Sequence, residues 1–298
     1  MYVITGATGK IGNLIATELL EEGKKVRAIG RNADKLKDLA ENGAEPFVGD
    51  LYDAEFVKKA FSGATTAFCM IPPNLLSNDF RKDQQKVALN YVNAVKENGV
   101  KYVVLLSSIG AHLRNGAGIV DGLGDMEEYF LQLKDVNVLN LRPSYFMENL
   151  YGQIGMIKDS SIMGSAIKGD IPLPLVATVD IADVATNRLR DLGFTGNSVE
   201  YVLGPRDISY YEVAKIVGAS IGKPDLKYVK FSYKDAKKGA VETGFISGNI
   251  ADLFNELSEA MNNGKALNAH KRTFGNSTPT TLEEFAKIFA KSFQSVTA

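Results

Sequence analysis

The chain has 298 residues, 45% hydrophobic and 23% charged, enough for one large α/β domain or for a main domain with a smaller lobe. Its 34 basic and 35 acidic residues leave a formal charge of −1, so no net charge draws in nucleic acid or an anionic membrane. One cysteine excludes an intrachain disulfide, two scattered histidines argue against zinc, and no apolar run approaches the roughly 20 residues of a membrane span. Met1 runs straight into Tyr2-Val3-Ile4 with no leader pattern, and a cytoplasmic protein is expected.

In chain order, short β-branched or aromatic runs alternate with amphipathic segments, the pattern of stacked strand–helix–strand units. The pattern predicts strands at Tyr2–Thr5, Val26–Gly30, Glu45–Val48, Thr65–Met70, Tyr102–Ser107 and Asn137–Leu141. Helices are predicted over Lys10–Glu22, Asp34–Asn42, Ala54–Phe61, Asp79–Glu97 and Asp125–Leu133. The fold class is α/β, a doubly wound parallel sheet of the Rossmann type, because such crossovers are right-handed and cover both faces. After Leu141 the rhythm changes. Asp170–Thr178 carries Pro172 and Pro174 and is non-helical, Asp180–Leu192 reads as a helix and Glu200–Leu203 as a strand. Ser209 with Glu212, and Thr281 with Glu284, have capping-box spacing. The dinucleotide-type domain is expected to span residues 1–143 plus about 178–204. A smaller, partly interleaved lobe takes about 144–177 plus 205–298. The short basic pair Lys271-Arg272 reads as a solvated loop.

The first strand runs into Gly6-Ala7-Thr8-Gly9-Lys10-Ile11-Gly12 and then a helix, giving G-x-x-G-x-x-G. Gly6 allows a tight turn, Gly9 lets backbone amides approach a pyrophosphate, and Gly12 lets the helix pack close to the sheet. Unpaired N–H groups at the helix start then favour an anion; the alternative is three glycines serving a tight turn alone. At the end of the second strand, where an NAD-binding chain carries Asp or Glu for the ribose hydroxyl, the sequence has Gly30-Arg31-Asn32. Arg31 suits a 2′-phosphate, with Lys35 one turn on, so NADP(H) is expected over NAD(H); the alternative is a solvated arginine. Asp50 has two readings, an acceptor for the adenine amino group or a turn residue.

The turn, Gly30-Arg31-Asn32 and Gly49-Asp50-Leu51 resemble the NmrA-like branch of atypical short-chain dehydrogenases/reductases. So do Arg142 to Asn149, Val179-Asp180-Ile181-Ala182-Asp183-Val184 and Thr278 to Phe285, in the same order along almost the whole chain. The resemblance implies either an NAD(P)H-dependent reductase of quinones, dyes and related aromatic compounds, or an NAD(P)-binding redox sensor that acts on a regulatory protein partner. It also implies that Pro143, Ser144, Tyr145 and Phe146 lie along the nicotinamide end, with Met70, Ile71 and Pro72 on the nicotinamide ribose side. Gly6 to Gly12, Arg31, Lys35, Asp50 and Leu51 would hold the rest of the cofactor.

The chain departs from ordinary members at the Tyr-x-x-x-Lys dyad. Tyr129 has Leu133 four residues on, and Leu123 stands where several relatives keep a lone lysine. Ser107 and Ser108 end the fifth strand, where a hydroxyl can bond a substrate carbonyl or merely satisfy the loop. His112, with a pKa near neutrality, suits protonation of a reduced product or a packing role. Cys69, inside an apolar strand, reads as a buried small hydrophobe. A small aromatic substrate would stack on Tyr145, Phe146, Met147 and Tyr151.

Overall fold

A computed structural model describes residues 1–295; the last three residues assigned above to the smaller lobe lie outside it. Nine strands form in chain order: β1 (Tyr2–Ile4), β2 (Val26–Gly30), β3 (Glu45–Val48), β4 (Thr66–Cys69), β5 (Tyr102–Leu106), β6 (Asn137–Pro143), β7 (Ile162–Ser165), β8 (Asn197–Val202) and β9 (Lys227–Lys230). The helices are α1 (Lys10–Glu21), α2 (Lys37–Glu41), α3 (Ala54–Ala60), α4 (Phe80–Asn98), α5 (Asp121–Phe130), α6 (Ile154–Ser160), α7 (Thr178–Asp191), α8 (Tyr210–Ser220), α9 (Tyr233–Glu242), α10 (Gly248–Asn262) and α11 (Leu282–Ser295).

Seven strands make one sheet in the order β3-β2-β1-β4-β5-β6-β8, and every adjacent pair is parallel. The order reverses at β1, which lies between β2 and β4 and so opens the crevice where ligands of such sheets bind. Parallel strands are covered on both faces, which their near-continuous apolar runs require. One face is packed by α3, α4 and α5 through Val57, Val87, Tyr91, Met126 and Phe130. The other is packed by α1 and α7 through Ile11, Ile15, Leu19, Ile181 and Leu189. A third cluster, including Met147, Ile157, Met163, Tyr210, Val217, Phe285 and Phe289, lies beyond β6 and around the two-stranded β7-β9 sheet.

Three elements begin earlier than the pattern predicts; α7 starts at Thr178, not Asp180, because Glu148 accepts from the Thr178 N–H and hydroxyl at its first turn. Helix α5 starts at Asp121, not Asp125, because Gly122 and Gly124 are helical rather than helix-breaking. A Cβ on Gly122 would lie 2.3 Å from Gln84 Oε1, so the missing side chain lets α5 pack directly on α4. Strand β8 starts at Asn197 because its polar first residues are held by the neighbouring strand, with Asn140 Nδ2 donating to Asn197 Oδ1 at 2.8 Å. Both expected capping boxes form, Ser209 with Glu212 and Thr281 with Glu284. Arg272 is not a freely solvated loop residue: it pairs with Asp207 and donates to the Gly204 carbonyl, fastening its loop below β8.

Carboxylates from two of the motif segments bind the later chain to the sheet. Glu148 accepts from Thr178 N at 3.1 Å and Thr178 Oγ1 at 2.5 Å, which places a negative charge at the start of α7. Asp180, 3% exposed, accepts from Thr280 N at 3.0 Å and Thr280 Oγ1 at 2.6 Å. Asp180→Ala strips two donors of a buried charged partner and is expected to cost about 1.5–3 kcal/mol. Urea unfolding checks this, and a loss within error of zero would show that the tie does not hold the C-terminal segment.

Candidate functional site

The turn after β1 is shaped by contacts that only small residues permit. Gly6 has φ +65°, a conformation that favours glycine, and a Cβ there would stand 2.7 Å from Met70 Sδ. A Cβ on Gly12 would lie 2.5 Å from the Gly6 carbonyl oxygen, so α1 begins in direct contact with the turn. Ala7 N donates to Ile29 O at 3.0 Å and Gly9 N to Gly6 O at 2.9 Å, locking the loop between β1 and β2. A Cβ on Gly9 would meet only Gly6 O at 3.3 Å, leaving its outer side open. No side chain caps α1 and no acidic residue stands in its first turn, whereas α3, α4, α8, α9 and α10 are capped by Asp53, Asp79, Ser209, Ser232 and Ser247. The exposed start of a twelve-residue helix is thus left with N–H groups and a positive dipole end and no internal anion.

Arg31 and Lys35 are exposed beyond the end of β2. The chain has nine arginines, all among the described residues, and eight of them reach a carboxylate within 4.0 Å. Arg31 does not. Asp50 Oδ1 accepts from Tyr52 N at 3.0 Å in its own turn, and the Leu51 side chain is buried against α3 and α4. The side chains of Ala7 and Ile11 are likewise in the core, so only their backbone can meet a ligand; Thr8 packs beside Gly30. Past β4, Met70 N donates to Thr5 Oγ1 at 2.9 Å, Tyr91 Oη donates to Met70 O at 2.7 Å, Ile71 is buried and Pro72 half-buried.

At the ends of β5 and β6 the structure gathers a buried polar group that the sequence pattern did not single out. Glu127 on α5 is 2% exposed and receives Arg142 Nε at 2.9 Å and Arg142 Nη2 at 2.5 Å. Ser107 Oγ donates to the same carboxylate at 2.5 Å, Arg114 Nη1 stands 3.8 Å away, and Arg142 Nη1 donates to Tyr201 Oη at 3.0 Å. Burial alone would pull the Arg142 pKa down, but the bonds and charge of Glu127 outweigh it and hold the guanidinium above its ordinary value. The hydroxyl proton of Ser107 is thus committed to Glu127, and that of Ser108 to the Ile109 carbonyl at 3.0 Å.

Pro143 O accepts from Ile109 N at 2.9 Å, and Ser144 N donates to Val202 O at 2.9 Å. Tyr145 lies edge-on to Tyr210 at 6.4 Å within the third cluster, and Phe146 packs on the α1/α7 face. Met147 is 1% exposed, and Tyr151 stacks on Phe289 at 5.8 Å, with Lys10 Nζ over the Tyr151 ring at 4.5 Å from its centre. A cavity of about 510 Å³ borders Lys10, Tyr151, Ile154, Gly155 and Ser292. The four residues expected to stack a substrate therefore do not share one open surface: Met147 is core and Tyr151 belongs to the phosphate-turn side. Burial pushes the Cys69 thiol far above its ordinary range, which removes it as a nucleophile. Among the described residues no cluster of His, Cys, Asp or Glu suits a metal, and no helix is long and apolar enough to cross a membrane.

The sequence model of the NmrA-like family matches residues 2–286. The NAD(P)H azoreductase of Xenophilus azovorans is 28% identical over 263 residues, covering 86% of each chain. The solved NADPH-dependent quinone oxidoreductase of Escherichia coli, in complex with NADPH, superposes with a TM-score of 0.80 at 22% identity over 97% of this chain and 99% of that one. The triphenylmethane reductase of Citrobacter sp. with NADP(H) gives 0.78 at 21%, over 97% and 100%.

Removing the Glu127 carboxylate alone leaves Arg142 charged and buried, so Glu127→Leu is expected to cost about 3–5 kcal/mol. Replacing both, with Glu127→Leu and Arg142→Met, should cost clearly less than the sum of the single losses. Chemical denaturation of the four proteins closes the cycle; strict additivity would mean the two side chains are not coupled.

Proposed function

The chain belongs to the NmrA-like family, and from that footing we propose that it is an NADP(H)-binding, cytoplasmic reductase of quinone-like or aromatic acceptors. The observation that carries the reading is the pair of unanswered positive features at the crevice, the uncapped start of α1 and the one arginine without a carboxylate, Arg31. Elsewhere the fold neutralises its guanidinium groups internally. A dinucleotide with a pyrophosphate and a 2′-phosphate presents anions that suit both features, with Lys35 adding a second cation. In this reading Gly6 to Gly12 hold the pyrophosphate through backbone N–H groups, and Asp50 and Leu51 border the adenine. Met70, Ile71 and Pro72 flank the nicotinamide ribose, and Pro143 to Phe146 border the nicotinamide. Among the described residues, the segments from about 144 to 177 and from about 205 to 295 form the lobe that closes over the acceptor.

The bound cofactor supplies two electrons and one hydrogen to the acceptor. The protein's part is to bring the two flat rings together and exclude water, which such a transfer needs more than a strong general acid. The missing Tyr/Lys dyad is compatible with that. Relatives named for azo compounds, quinones and triphenylmethane dyes support an aromatic acceptor. A second reading, a cofactor-responsive protein that signals to a protein partner, is favoured by one contact: Lys10 of the turn lies over Tyr151 of the C-terminal lobe. An anion at the turn would draw Lys10 away and alter that seam.

NADPH oxidation is expected with at least one compound in a panel of quinones, azo dyes and triphenylmethane dyes; tight NADPH binding with oxidation no faster than buffer across the panel would favour the second reading. Arg31→Ala should weaken NADPH by about 1.5–3 kcal/mol and leave NADH nearly unchanged, as measured by calorimetric titration. Equal losses for the two cofactors would show that Arg31 does not meet the 2′-phosphate.

A further inference from the structure

The chain has only two histidines, and the fold brings both to the carboxyl ends of β5, β6 and β8. The bond from Ile109 N to Pro143 O holds the loop after β5 against the end of β6, and His112 follows in that loop. Its Nε2 lies 3.2 Å from the Lys265 carbonyl oxygen. His270, just beyond Lys265, sets its ring 5.7 Å from that of Tyr201, whose hydroxyl accepts from Arg142. Ser144 follows the end of β6, where its N–H donates to Val202 O at 2.9 Å. Among the described residues, His112 Nδ1, His270 Nδ1 and Ser144 Oγ are all buried side-chain atoms without a hydrogen-bond partner. Leaving such atoms unpaired costs stability, and the two imidazoles, near enough that His112 bears on the charge of His270, mark a position for a polar ligand atom.

We propose that His112, His270 and Ser144 form a polar subsite that takes an oxygen of a quinone or similar carbonyl acceptor, with His112 giving that oxygen its proton. The proposal rests on the reductase reading and adds to it the group that anchors the acceptor. A carbonyl oxygen can only accept, so the Lys265 carbonyl fixes the hydrogen of neutral His112 on Nε2 and leaves Nδ1 as a bare lone pair. Only the protonated ring can donate through Nδ1.

Burial lowers the His112 pKa, opposed by the Lys265 carbonyl and Glu127 and reinforced by Arg142 and Arg114. His270 is lowered by burial too, against Asp207 and with Arg272 and His112. Both shifts favour the neutral rings. As two electrons and one hydrogen reach the quinone from the bound cofactor, the proton leaves Nδ1 of the charged His112 ring. The new O–H bond forms as the N–H bond breaks, and solvent restores the proton to the imidazole. The charged ring gains population as pH falls, so kcat/KM for the quinone should rise toward acid pH.

With two histidines in the chain, their imidazole NMR signals are assigned by His112→Gln and His270→Gln. The full chain is saturated with NADP+, which cannot reduce an acceptor, and titrated with menadione. Both histidine signals are expected to move, and the His112 midpoint to rise. In turnover His112→Gln should lose the acid limb of the pH profile and on the order of 10²-fold in kcat/KM, with the affinity for NADPH unchanged. Histidine signals unmoved by a quinone that the protein does reduce would overturn the subsite and leave the reductase reading standing. Signals that move in a protein that oxidises NADPH with no acceptor would sustain the subsite as a quinone-binding position and overturn the reductase reading instead.

Discussion

The contact on which the site depends is the one between Gly12 and the carbonyl of Gly6. A side chain at 12 would place its first carbon 2.5 Å from that oxygen, so α1 starts where it does only because residue 12 has none. From this follow the position of the helix over the switch point of the sheet and the direction of its first N–H groups. Neighbouring bonds make the arrangement stiff: Thr5 Oγ1 donates to Phe68 O at 3.1 Å and accepts from Met70 N, tying the ends of β1 and β4 together. The turn is thus fixed by bonds of the protein's own backbone and side chains.

Charge is handled in opposite ways at the two ends of this crevice. Beneath β5 and β6, Glu127 neutralises Arg142 and takes the Ser107 proton, so a charged pair stands inside the protein with most of its bonding capacity met. That satisfied layer bonds Tyr201 through Arg142 and reaches the loop after β5 through Ser107 and Arg114. At the adenosine end Arg31 and Lys35 stay exposed, and Arg31 has no carboxylate partner among the described residues. The first arrangement is built for order within the fold. The second is open to an external anion.

The sheet, its order-reversing turn and the helices on both faces were legible because strand and helix periods differ and glycines mark the ends. Helix α5 was only partly legible: the pattern starts it at Asp125, and the preceding turn is helical where Gly122 lies against Gln84 and Gly124 against the Ala111 carbonyl, contacts that only the fold reveals. Glu127 was hidden for a similar reason. A glutamate on an amphipathic helix reads as a solvent-facing residue, and only Arg142, placed by β6, reveals that it is buried. The signal that was present was Arg142 itself, an arginine inside an apolar strand that must find a carboxylate. His270 carried no local mark at all, since it joins His112 through the packing of the segment around Lys265. Motif residues such as Glu148 and Asp180 were legible as a family pattern, but their work, tying the later chain to α7, needed coordinates.

The central claim is that the turn after β1 and the arginine after β2 receive the two anionic groups of NADP(H). Calorimetric titration of the unmodified protein with NADPH and with NADH at one ionic strength tests it most directly. One molecule of NADPH per chain, bound at least about tenfold more tightly than NADH, or about 1.4 kcal/mol, is the result the account predicts. Absence of binding to either dinucleotide, or a preference for NADH, would contradict it.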